Sequence, residues 1–222
     1  MINIAIDGPA GAGKSSLSKL LAKELSYIYV DTGALYRAVG LKFSRFGFDT
    51  SLQGDIDTIL EDTMLDIRFI DGAQRVFLDG VDVSDEIRTP EASMMASAVS
   101  AKPVVREFLL GMQRRLAEKN NVVMDGRDIG TVILPNTQVK IFLTADVKVR
   151  AERRYKELIE KGQTVSFEEV FEDMKVRDYN DSNRPIAPLK QADDAVLADT
   201  TNLTFEESLE LLIKIAREGI SK

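Results

Sequence analysis

The 222-residue chain contains no cysteine and no histidine. Without cysteine there is no disulfide framework, no thiolate zinc site and no cysteine nucleophile. Without histidine, imidazole metal sites and serine–histidine mechanisms are closed, so chemistry falls to carboxylates, lysine, arginine and a hard metal. An excess of basic charge is also missing: Lys plus Arg number 29 against 36 Asp plus Glu, a net charge of −7. That balance excludes a general binder of nucleic acid or anionic membrane, and any polyanionic ligand must meet local basic clusters. No stretch is apolar enough to span a bilayer, and Met1-Ile2-Asn3-Ile4 is too short a hydrophobic run for a signal peptide. A cytoplasmic protein is therefore expected. Internal repeats, low-complexity tracts and flexible linkers are absent too, while 44% hydrophobic residues suffice for one α/β domain with an appendage.

The most informative stretch is Gly8-Pro9-Ala10-Gly11-Ala12-Gly13-Lys14-Ser15, which fits G-x-x-x-x-G-K-[ST] in full. Ile2 to Ile6 before it read as a buried strand, and Leu17, Leu20, Leu21 and Leu25 after it recur at helical spacing. A loop joining a strand's end to a helix's start is a phosphate cradle. Its glycines let backbone N–H groups approach an anion, the helix N-terminus adds positive potential, and Lys14 supplies a mobile charge. Ser15 is placed to hold Mg²⁺ through its hydroxyl. A dinucleotide fingerprint fails because Ser16 stands at the third glycine position.

Tyr27 to Val30 reads as a second strand, ending in Asp31-Thr32-Gly33-Ala34-Leu35-Tyr36-Arg37. Strand ends in open α/β sheets bind ligands, so Thr32 is a candidate cap and Arg37 a candidate ligand contact. An ordinary capped helix with a solvated arginine serves the local pattern equally well. From residue 32 to 120 the chain spends far more than the roughly 30 residues of a βαβ crossover, which calls for a second lobe. Within it Ile67/Phe69, Val76/Leu78 and Val81/Val83 alternate at period two around Asp71-Gly72 and Asp79-Gly80, predicting a small three-stranded antiparallel sheet. Helices are expected over Glu91 to Val99 and, after Pro103, on a face of Val105, Phe108, Leu109, Met112 and Leu116. Met94 and Met95 read as packing residues.

The main sheet resumes with a strand inside Asn121 to Asp128, and Val139 to Leu143 is the next. A helix from about Asp146 to Glu160 carries Arg150, Arg153 and Arg154; they are either phosphate ligands or a solvated face paired with Glu152 and Glu157. Ser166-x-x-Glu169 and Thr204-x-x-Glu207 are capping boxes, Asp194 to Asp199 reads as the last strand, and Phe205, Leu209, Leu212 and Ile213 form the last helix's apolar stripe.

A phosphate loop alone does not choose among a switch GTPase, a motor ATPase and a small kinase. No Asp is followed by Gly three residues later and no Asn-Lys-x-Asp run occurs, so the GTPase reading lacks support. Arginine clusters beside a second lobe suit a clamp on two phosphorylated ligands. The runs Gly8 to Ser16, Asp31 to Arg37, Gly126-Arg127-Asp128-Ile129-Gly130-Thr131 and Arg177-Asp178 through Asp181 to Arg184 together resemble the bacterial cytidylate (CMP) kinases, a family of nucleoside-monophosphate kinases, and they span nearly the whole chain.

The resemblance implies an α/β, P-loop NTPase-type fold. Its parallel five-stranded sheet, in the order 2-3-1-4-5, would be flanked by helices. One unit, residues 1–222, would comprise a core (1–37 and 120–222), a monophosphate-binding lobe (38–119) with the small sheet inserted at about 63–102, and a helical lid at about 146–162. It implies ATP and Mg²⁺ as cofactors and transfer of phosphate to CMP or dCMP. Gly8, Pro9, Ala10, Gly11, Ala12, Gly13, Lys14, Ser15 and Ser16 would hold ATP, with the metal on Ser15. Arg37, Arg127 and Arg184 would hold the acceptor phosphate or the transferring group, Arg150 and Arg154 would close over it, and Lys14 would bridge the ATP phosphates. Thr32 would lie on the acceptor side, Arg177 and Asp181 at the sugar and phosphate, and Ser100, Arg106 and Asp128 at the pyrimidine. A monomer acting on small nucleotides, with no nucleic acid polymer and no membrane, is expected. Two alternatives stay open on the residues alone: an alcohol-phosphorylating kinase with Asp31 as base, and a nucleotide-binding regulatory module with little turnover.

Overall fold

The computed structural model describes residues 1–47 and 56–221; residues 48–55 of the expected second lobe lie outside the described residues. In chain order the elements are β1 (Asn3–Asp7), α1 (Lys14–Leu25), β2 (Ile28–Asp31), α2 (Thr32–Arg45), α3 (Ile56–Glu61), β3 (Leu65–Ile70), β4 (Ala73–Leu78) and β5 (Val81–Asp82). They continue with α4 (Pro90–Ser100), α5 (Pro103–Lys119), β6 (Val122–Gly126), β7 (Val139–Thr144), α6 (Val147–Glu160), α7 (Phe167–Asn183), β8 (Val196–Asp199) and α8 (Phe205–Ile220). Between β6 and β7, Ile129–Ile133 form a π-helical turn.

The main sheet has five strands in the order β2-β6-β1-β7-β8, all parallel, which is 2-3-1-4-5 when the core strands alone are counted. Its central strands are apolar on both faces because helices cover both: Ile4, Ala5 and Ile6 of β1 and Val122 to Met124 of β6 are buried. One face packs on Leu17 and Leu21 of α1 and Leu212 and Ala216 of α8, the other on Ala117 of α5. A separate core of Leu35, Val39, Phe43, Val76, Leu78, Val99 and Leu109 joins α2, α4 and α5 to the second sheet. That sheet is β3-β4-β5, antiparallel as expected, and Asp71, Gly72, Asp79 and Gly80 all take positive φ in its two tight turns.

The structure corrects several local expectations. Leu20, Val81 and Phe205 are exposed. On α1 the buried arc runs through Lys14, Leu17, Ser18, Leu21 and Ala22, leaving Leu20 on its outer flank. On α8 the buried stripe continues to Ile215 and Ala216 and does not begin at Phe205 in the first turn. Met95 packs inward while Met94 is exposed. Asp194 precedes β8, where its carboxylate accepts from Lys140 Nζ at 2.7 Å. Among the described residues no helix is long and apolar enough to cross a membrane.

Candidate active site

The turn from β1 into α1 can only be built with glycine at its start. A Cβ on Gly8, whose φ is 150°, would lie 1.9 Å from the Leu143 carbonyl oxygen on β7. Gly13 caps α1 with φ 85° and offers no side chain to the helix's first N–H groups, which therefore remain available to an anion. Lys14 is buried, and its Nζ donates to the Pro9 carbonyl oxygen at 2.7 Å. Burial, then the Arg127 charge, pushes its ammonium well below the ordinary lysine range, with Asp125 opposing. An entering phosphate would add to the negative charge that Asp125 and Asp181 bring to this cation. Ser15 and Ser16 are exposed beside it.

The parallel register sets Asp31 of β2 beside Asp125 of β6, and Asp7 of β1 beside Gly126, so carboxylates gather at one end of the sheet. Asp125 accepts from Tyr29 Oη at 2.8 Å and from Ser15 Oγ at 3.0 Å. Burial, then the Asp31 charge, pushes its carboxyl up to about 6. Among the described residues no group of three or more carboxylates could cage a metal. Mg²⁺ keeps waters and substrate phosphates and needs only one or two protein oxygens, so the Ser15 hydroxyl with the Asp125 carboxylate behind it fits that ion.

Thr32 does not cap α2. Asp31 does, accepting from Ala34 N at 3.0 Å, because its extended backbone and charged carboxylate make it the better cap. Thr32 is buried and donates to the Asp125 carbonyl oxygen at 2.8 Å. Arg37 pairs with Asp31 at 2.9 Å, and its Nε is buried without a hydrogen-bond partner. Gln74 of β4 accepts from Asp31 N at 2.8 Å and donates to Asp31 O at 3.2 Å, tying the small sheet to the end of β2.

Across from the loop, Asp128 is buried between two arginines. Arg106 Nη2 donates to its Oδ2, and Arg184 Nη2 lies 3.3 Å from its Oδ1. Burial pushes the Asp128 carboxyl up, against both arginines. Arg106 also donates to the Ser100 carbonyl oxygen at 3.3 Å and stands 5.7 Å over the Tyr36 ring. Ser100 thus joins the cluster through its backbone, while its hydroxyl donates to Ser97 O. Arg127 turns away from Asp128 to Asp181, at 2.7 Å. Burial alone would raise the Asp181 carboxyl, but Arg127, Arg177 and Arg184 hold it below the usual range. Arg177 has an exposed side chain within electrostatic reach of Arg127, Arg154 and Arg37.

The three arginines of α6 differ. Arg150 is buried and fully engaged: Nε donates to Ala145 O at 2.8 Å, Nη1 to Ala10 O at 2.9 Å, and Nη2 to Asp178 Oδ2 at 2.6 Å. It braces the phosphate loop against α7. Arg153 donates to Thr200 O at 2.8 Å. Only Arg154 keeps the solvated pairing, with Glu157 at 2.8 Å. Sequence reasoning passed over Asp7, Tyr29, Gln74, Asp125 and Asp178. For Asp125 a signal existed, an apolar run Val122-Val123-Met124 ending in a carboxylate; the others acquire partners only through the fold.

A phosphate loop at the end of a central parallel strand, faced by paired arginines with no histidine to act as base, defines a phosphotransferase of the P-loop kinase class. The cytidylate kinase family model matches residues 4–218, and the chain belongs to that family. It is 52% identical to the cytidylate kinase of Caldicellulosiruptor bescii over 96% of this chain and 95% of that protein. It is 47% identical to that of Pediococcus pentosaceus over 99% of this chain and 96% of that one. Among solved structures, a shikimate kinase from Bacteroides thetaiotaomicron superposes with a TM-score of 0.50 at 14% identity, covering 100% of this chain and 99% of the other, a likeness of fold alone.

Proposed function

We propose that the chain transfers the γ-phosphoryl group of ATP to the phosphate of CMP and dCMP, giving ADP and the corresponding diphosphate. The observation that carries this reading is the arginine-framed Asp128, a buried carboxylate suited to a cytosine amino group, standing beside the Arg127–Asp181 pair. An acceptor phosphate is already ionised at neutral pH and needs no general base, so catalysis is positioning and charge neutralisation. In this reading Lys14 leaves Pro9 O to bridge the ATP phosphates. Arg37 offers its unpartnered Nε to the acceptor phosphate, and Arg127 and Arg184 hold the acceptor or the transferring group. Asp181 and Arg177 meet the sugar and phosphate, Thr32 sits on the acceptor side, and Ser100, Arg106 and Asp128 meet the base. Ser15, backed by Asp125, would hold Mg²⁺, which when bound neutralises the β and γ oxygens. Residues 38–119 serve as the acceptor lobe and 146–162 as the lid. The protein works as a cytoplasmic monomer on small nucleotides, its net charge of −7 keeping nucleic acid and anionic membranes away. The alcohol-kinase reading loses its base, since the Asp31 carboxylate is committed to Ala34 N and Arg37.

The test is ADP release with CMP, dCMP, UMP, AMP, GMP, shikimate, gluconate and no acceptor. CMP and dCMP are expected to be the best acceptors; equal turnover on an alcohol, or turnover independent of acceptor, would overturn the reading.

The two lid arginines should separate. Arg154→Ala is expected to leave stability within about 0.5 kcal/mol, because its ion pair is exposed. It should lower kcat more than it raises KM for CMP, as expected of a group that meets the phosphoryl on closure. Arg150→Ala should instead cost roughly 3 kcal/mol, because it strands Asp178 and frees Ala10 O. Thermal melts and steady-state kinetics on both variants decide, and an unchanged kcat in Arg154→Ala would return that residue to a solvated helix face.

A further inference from the structure

We infer that Asp7 is a positioning residue for base recognition: it caps the turn that follows Asp128 from a neighbouring strand, and so frees the Asp128 carboxylate for the acceptor. The inference rests on the reading that Asp128 meets the base.

The geometry is unusual for a helix start. Asp128 occupies the cap position of the Ile129–Ile133 turn, and aspartate there ordinarily turns its carboxylate onto the first free N–H groups. Here it makes no such bond and faces Arg106 and Arg184. Of the second- and third-position N–H groups such a cap would serve, Gly130 N is taken by Asp7 Oδ2, and Asp7 Oδ1 also accepts from the first-position Ile129 N, each at 2.7 Å. The Asp128 carbonyl oxygen still accepts from Val132 N and Ile133 N, so the turn stays closed. Two carboxylates thus divide what one residue would otherwise have to do. The register that sets Asp7 beside Gly126 brings it under the turn, and Gly130 permits the approach, since a Cβ there would lie 3.3 Å from Asp7 Oδ2 and 3.1 Å from Lys140 Cδ.

Asp7 is buried and both its oxygens serve backbone donors. Burial pushes its carboxyl up to about 6, so holding it ionised lowers stability as the pH rises from the ordinary aspartate range to that value. A charge kept in so unfavourable a place suits a functional demand on the turn.

The experiment compares wild type, Asp7→Asn and Asp128→Asn, measuring kcat/KM for CMP and UMP and KM for ATP. Asparagine keeps the size of Asp7 but sets an amide donor against one of the two backbone donors, which draws Asp128 toward its own turn. Asp7→Asn is expected to lower the CMP-to-UMP ratio about tenfold while KM for ATP stays within about twofold. Equal losses on CMP and UMP, with the ratio unchanged, would overturn the inference and make Asp7 a purely structural residue. If Asp7→Asn does not fold, Gly130→Ala crowds Asp7 Oδ2 and the Lys140 stem without removing the charge, and the same ratio should fall by about threefold; an unchanged ratio there overturns the inference equally. A ratio that moves in Asp128→Asn but not in Asp7→Asn defeats this inference alone. A ratio unmoved in Asp128→Asn defeats the base-recognition reading on which it rests.

Discussion

Lys14→Ala is expected to lower turnover at saturating ATP by about 10³-fold while leaving a folded protein. The loop is shaped by Gly8 and Gly13, whose backbone the lysine does not set. The side chain's one hydrogen bond is to the Pro9 carbonyl oxygen, which lies in the same loop. Its ammonium is disfavoured by burial and then by Arg127, which outweigh the attraction of Asp125 and Asp181, so removing it costs the free protein little. What disappears is the charge that meets the ATP phosphates, and that is needed most as the phosphoryl group moves. Steady-state kinetics and a thermal melt check the expectation. Turnover within about tenfold of wild type, a loss of only ~1.4 kcal/mol, would remove Lys14 from the assigned role.

The second large effect concerns base choice. Cytosine presents a 4-amino donor that the Asp128 carboxylate can accept, and an acceptor edge that Arg106 can serve. Uracil sets a carbonyl oxygen against that carboxylate. A site built around a substrate N–H rejects an analogue lacking it by up to ~10⁴-fold, and the burial of Asp128 between two arginines keeps water from softening the penalty. Wild type should therefore strongly prefer CMP to UMP in kcat/KM. Asp128→Asn should weaken CMP use and narrow the gap without inverting it, since asparagine can still accept from cytosine and can rotate to donate to uracil. Its amide also meets Arg106 or Arg184 donor to donor, so a lower melting temperature is expected alongside. The ratio of the two kcat/KM values carries the test: left unchanged by Asp128→Asn, it would take Asp128 out of base recognition.

What was legible before the fold was known shares one property, that cause and effect lie within a few residues. The capping boxes Ser166/Glu169 and Thr204/Glu207 form as read, because a cap's donor and acceptor are three residues apart. The Asp-Gly turns form as read because positive φ is a demand on single residues. The misreadings are equally local. Thr32 is only a candidate cap on the local pattern, and Asp31 beside it is the stronger acceptor, while at Leu20 and Phe205 apolarity stands in for burial although neither lies on its helix's inward arc.

Sequence alone determined the phosphate loop, the individual core strands with their helices, the small antiparallel sheet and the exclusion of histidine and cysteine chemistry, because periodicity, turn residues and absences are properties of neighbouring residues; the parallel pairing of the five strands in the order 2-3-1-4-5 came through the family resemblance. Tertiary structure alone decided how the site is shared out. Asp7 meets Ile129 across 122 positions, Ser15 meets Asp125 across 110, and Arg150 meets Ala10 across 140. Charge and polarity in the sequence mark such residues as candidates. Which carboxylates gather at the loop is set by strand register, where a shift of one residue turns every side chain to the opposite face, and which arginine each meets is set by how α5, α6 and α7 pack around that end of the sheet.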